Sequence, residues 1–95
     1  MKVFERVLKL CVGKMIRVNY GRCSTGSRVS KCSLEGVLLA FDNLCLVIAV
    51  PNSKGGVEKL VVIKKSEIES IELLDRGLIV DVYRMLSEYA LSLTL

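Results

Sequence analysis

The chain has 95 residues, 52% of them apolar and 25% charged, with a formal net charge of +4 and neither histidine nor tryptophan. That length makes one domain with a small core. The apolar share excludes intrinsic disorder, and the missing histidine removes the commonest general base and metal ligand. The expectation is a protein that is not an enzyme, has no cofactor or metal, and takes no small-molecule substrate.

Residues 2–11 place Val3, Phe4, Val7, Leu8 and Cys11 at helical spacing, with Lys2, Glu5, Arg6 and Lys9 opposite. This pattern predicts a short amphipathic helix ending near Gly13. From Lys14 to Tyr20, Ile16, Val18 and Tyr20 alternate with Arg17 and Asn19, a strand pattern. Gly21 to Ser33 is polar and basic and reads as a loop. Leu34 to Phe41 is a second strand, and Gly36 within it allows a sharp bend or a close approach of another backbone. Asp42-Asn43 is a turn signal, followed by a third strand over Leu44–Val50. Pro51 to Gly56 is a loop. Strands are expected over Lys59–Lys64 and Ile68–Leu74, with a turn at Lys65-Ser66 between them. Residues 78–93 then switch period. Ile79, Val82, Tyr83, Leu86, Tyr89, Ala90 and Leu93 form one stripe against Asp81, Arg84, Ser87 and Glu88, which predicts a C-terminal helix.

The fold class is therefore mainly β: a small, strongly bent five-stranded antiparallel sheet or open barrel with a helix at each end. Residues 1–75 form the barrel with its first helix, and 76–95 a helical extension of the same domain. The longest unbroken apolar run, Leu44 to Val50, has seven residues, against about 20 for a spanning helix. Met1 to Arg6 lacks the apolar stretch of a secretory signal. A cytoplasmic protein without a membrane partner is expected.

Charge is unevenly spread. Residues 1–34 carry a net +7 and residues 35–95 a net −3, an asymmetry suited to an electropositive face that meets phosphates or acidic lipid, or to a solvated basic surface with no partner. Of the four cysteines, Cys11 and Cys45 sit in apolar surroundings and read as core residues. Cys23 and Cys32 flank a polar stretch, and two antiparallel strands on either side could bring them to bonding distance. The pair would stay reduced in an ordinary cytosol, whereas in a hyperthermophile's cytosol the bond can persist.

The order of a helix and five strands, with Gly36 in the second strand and Asp42 six residues on, resembles the Sm-like (LSm) family, as a divergent archaeal-type member. Val12-Gly13-Lys14-Met15-Ile16-Arg17-Val18 and Gly36-Val37-Leu38-Leu39-Ala40-Phe41-Asp42 match the first family motif, and Leu60-Val61-Val62-Ile63-Lys64-Lys65-Ser66-Glu67-Ile68 the second. A generic SH3-like barrel, such as the C-terminal domain of the bacterial ribosome maturation factor family, has much the same pattern. The Sm-like resemblance implies a homo-oligomeric ring in which the fourth strand of one subunit pairs with the fifth of the next. It also implies RNA as a partner, bound by Asp42, Asn43, Leu44, Lys64 and Lys65.

Four residues depart from the family pattern. Leu44 stands where the family has an aromatic or histidine that stacks on a base. Leu46 replaces an asparagine that reads the base edge, and Lys64-Lys65 replaces an Arg-Gly pair. Lysine keeps charge but offers no planar guanidinium. RNA binding through backbone charge with a degraded uridine pocket is one expectation. A structural or protein-interaction module without RNA is the other.

Overall fold

The computed structural model describes residues 2–25 and 28–94, with the side chains of 22–31, 93 and 94 outside that description. Its elements are α1 (Val3–Cys11), β1 (Met15–Thr25), β2 (Arg28–Phe41), β3 (Cys45–Pro51), β4 (Val57–Lys64), a 3-10 turn (Lys65–Glu67), β5 (Ile68–Leu73) and α2 (Arg76–Thr94). The five strands form one antiparallel sheet in the order β4-β3-β2-β1-β5, with β4 and β5 at its two ends. Consecutive strands are neighbours except for β5, which folds back beside β1.

Alternation along the strands sets the core. Ile16 and Val18 of β1, Leu38 of β2, Leu46 and Ile48 of β3 and Ile63 of β4 are buried on one face. α1 closes over them with Leu8 and Cys11, and α2 with Leu78 and Val82. Burial pushes the Cys11 thiol up to about 11, so it stays protonated and inert at neutral pH. Gly13 makes the exit from α1: at φ +82° it enters the left-handed region, and its N–H donates to the Leu38 carbonyl at 2.7 Å. That bond ties the helix end to β2.

At Gly36 in β2 a side chain would not fit. A Cβ on Gly36 would lie 2.5 Å from Ile48 Cγ2 and 2.6 Å from the Ala49 carbonyl oxygen. β3 crosses at this point because the glycine leaves it room. Two residues on, the β2–β3 register slips between Leu38 and Ala40, leaving Leu39 outside the ladder and exposed.

The expected loop over Gly21–Ser33 is corrected by the backbone. β1 and β2 continue through it as a hairpin paired to Thr25 and Arg28. The stretch is polar and glycine-containing, so its sequence carries no apolar alternation from which strands could be read.

α2 also sits differently from its expected stripe. Val82 is buried as predicted, but its companion is Leu78, while Ile79, Tyr83 and Ala90 face solvent. Leu78, Ile79 and Val80 are consecutive apolar residues, so periodicity alone does not choose the docking face. Asp75 chooses it by capping the helix: its Oδ1 accepts the Leu78 N–H at 2.9 Å.

On the far face of the sheet, Arg17 Nε donates to Glu35 Oε1 at 2.8 Å and its guanidinium also reaches Glu72 at 3.4 Å. Asn19 Nδ2 donates to Ser70 Oγ and Glu72 Oε2 at 2.9 and 3.0 Å. These pairs sit directly across β2, β1 and β5 and fix register more than stability, since exposed pairs contribute little. They also occupy one of the basic residues that made the first half of the sequence electropositive.

Candidate nucleic-acid interface

Two loops meet at one end of the sheet. The first, between β2 and β3, is built by Asp42. Its Oδ1 accepts the backbone N–H groups of Leu44 and Cys45, both at 2.8 Å, and its own N–H donates to the Cys45 carbonyl at 3.0 Å. The second is the Lys65–Glu67 turn between β4 and β5. The register Phe41↔Leu46↔Ile63 brings the end of β2 alongside the end of β4, and the Lys65 N–H then donates to the Leu44 carbonyl at 2.7 Å. One backbone bond thus locks the two loops together.

Four of the five residues expected in the nucleic-acid site come together here. Asn43, Leu44, Lys64 and Lys65, with Cys45 and Ser66, line a shallow cavity of about 300 Å³. Leu44 is 73% exposed at its rim. Asp42 shapes the first loop and is not among the residues lining the cavity. Leu46 is fully buried, so the position that would read a base edge in the family pattern lies in the core.

The two amide donors, helped by the Lys65 ammonium, hold the Asp42 carboxyl below the usual carboxylate range. A depressed carboxylate contributes stability above its unfolded pKa and loses it as pH falls through the folded value. Asp42→Ala is therefore expected to lower Tm at neutral pH. The gap from wild type should close in strong acid, while Asp42→Asn, which keeps an acceptor oxygen without the charge, should fall between the two at neutral pH and match wild type in strong acid. A pH series of thermal melts checks this.

Two residues that spacing does not single out complete the site. Lys65 Nζ lies 5.4 Å from the centroid of the Phe41 ring and 5.6 Å from that of Phe4, both within cation–π range. The ammonium is held between an aromatic ring at the end of β2 and one on the first turn of α1. Phe4 reads in the sequence as one more member of the α1 core stripe. The signal that separates it is its place at the helix start, one turn before the buried Leu8, where the stripe runs past the core.

Of the possible Cys23–Cys32 disulfide, Cys32 is disulfide-bonded, and the Cys23 side chain lies outside the described residues. Cys11 and Cys45 are free. Among the described residues no group of His, Cys, Asp or Glu could hold a metal ion, and no helix is long and apolar enough to cross a membrane. In comparisons with known proteins, the chain matches no family model, no curated protein and no solved structure.

Proposed function

We propose that this chain is an Sm-like protein, a cytoplasmic ribonucleoprotein component that assembles into a homo-oligomeric ring. In this reading it binds RNA chiefly through backbone charge, with a uridine pocket that has lost its base-reading groups. The observation that carries the reading is a five-stranded sheet whose end strands are β4 and β5. On β4, Leu60 and Val62 are 60% and 64% exposed. An apolar end strand invites pairing, and pairing of β4 with the β5 of a second copy under a closing rotation removes every edge. The paired loops that gather Asn43, Leu44, Lys64 and Lys65 supply the phosphate-facing cations.

Phosphate contact makes affinity fall linearly with log salt, with a slope of about −0.7 for each neutralised phosphate of a single strand. Titration of a short oligoribonucleotide at two salt concentrations is expected to show that fall, with little preference for oligouridine. Lys64→Ala and Lys65→Ala are each expected to weaken binding across sequences and flatten the slope by about 0.7 for each phosphate no longer neutralised. Equal wild-type affinity at low and high salt would refute the phosphate contacts.

A second reading, a protein-interaction module on the same scaffold, is favoured by α2. Its outward side carries Ile79, Val80, Tyr83 and Leu91, all exposed. An oligomer with no RNA affinity at any salt would select it.

A further inference from the structure

We infer that the β1–β2 hairpin is a basic arm along which a bound RNA strand continues beyond the paired loops, with the cross-strand pair Arg22 and Lys31 meeting its phosphates. The inference rests on the RNA-binding reading above and extends its track. Three observations support it together. The first is charge: residues 21–33 hold Arg22, Arg28 and Lys31 and no acidic residue. The second is register: the ladder sets Arg22 directly opposite Lys31. The third is position. A Cβ on Gly21, at the base of the hairpin, would lie 3.8 Å from the Glu67 carbonyl oxygen, and Tyr20 pairs with Ile68. The arm therefore starts against the Lys65–Glu67 turn, the loop that brings Lys65 to the candidate site.

Like charges directly opposite on a two-stranded ribbon are destabilising by themselves. A phosphate shared between them reverses the sign, because each cation then has a charged hydrogen-bond partner. The arm is also open to receive one. Among the described pairings, β1 runs beside β5 only as far as Tyr20, and β2 runs beside β3 only from Val37 onward. Residues 22–25 and 28–33 thus pair with each other and with no third strand. Closing a ring joins β4 to β5 and uses neither of these segments. A phosphate chain leaving Lys64 and Lys65 past the turn meets its next cations on the arm. Phosphate contacts of this kind carry no sequence information, which agrees with a site that has lost its base-reading groups.

The test measures the salt dependence of binding for two oligoribonucleotides by fluorescence anisotropy: a trinucleotide, short enough to lie on the paired loops alone, and a strand several times longer. Wild type should bind the longer strand with the steeper slope. Arg22→Gln with Lys31→Gln should flatten that slope by about 1.4, from about 0.7 for each of two phosphates no longer neutralised, and leave the trinucleotide unchanged. Arg22→Lys with Lys31→Arg, which keeps both charges, should retain the wild-type slope. Wild-type binding that is salt-dependent but has the same slope in the glutamine variant overturns the arm and leaves the RNA reading standing. Equal losses on both strands overturn it too, by showing that the two charges act at a distance and not as contacts. Absence of salt-dependent binding in wild type removes the RNA reading and the arm's role with it.

Discussion

Gly36→Ala is expected to lower the unfolding free energy by about 1–3 kcal/mol, the usual cost of forcing a methyl group into a filled interior. In a domain of this size that corresponds to roughly 5–20 °C in Tm. The new Cβ would stand 2.5 Å from Ile48 Cγ2 and 2.6 Å from the Ala49 carbonyl oxygen. The first contact could be eased by a rotamer change, although Ile48 is fully buried and has little room to turn. The second is with backbone. Ala49 pairs with Val37 on one side and Leu60 on the other, so moving its carbonyl means moving β3 against two ladders. Gly36→Val adds two further methyl groups at the same point and is expected to prevent folding. A thermal melt of Gly36→Ala indistinguishable from wild type would show that β3 does not cross tightly over β2.

The double substitution Leu60→Lys with Val62→Lys is expected to leave the fold intact and dissolve the assembly. Ile63 and Val61 belong to the core and its margin, whereas Leu60 and Val62 pair with Ala49 and Val47 and lie largely in solvent. A single folded subunit therefore loses little. Covering what is left exposed of each side chain in an assembly contributes about 1–2 kcal/mol, part of the value for full burial. Losing both weakens each interface by roughly 30- to 700-fold, and lysine on an end strand adds like-charge repulsion. Circular dichroism should match wild type while the particle mass falls. An unchanged mass would place the interface between copies elsewhere, with the exposed side of α2 the next surface to test.

Legibility in the sequence followed burial. Ile16, Val18, Leu46 and Ile63 alternate with half-buried or exposed neighbours, and that period marked the strands that line the core. Gly36 was readable as a bend or a close approach of another backbone, and the close approach is what Ile48 and Ala49 make there. The hairpin through Thr25 and Arg28 was not readable, since its polar sequence carries no apolar alternation. Nor was the docking face of α2, where three consecutive apolar residues blur the helical period and the Asp75 cap decides.

The site divides the same way. Asn43, Leu44, Lys64 and Lys65 were named through the Sm-like resemblance, and the structure brings them to one cavity. Phe4 and Phe41 could not be linked to Lys65, because that meeting depends on two strand registers and on the docking of α1. That Asp42 also builds the β2–β3 loop is visible only once its hydrogen bonds to Leu44 and Cys45 are known.

The central claim is that β4 and β5 are completed by other copies of the chain. Its most direct test is the light-scattering mass of the purified wild-type protein across a wide concentration range without RNA. The account predicts a fixed multiple of the 10.5 kDa chain. A mass of 10.5 kDa that persists to the highest concentration, in a folded sample, would contradict it.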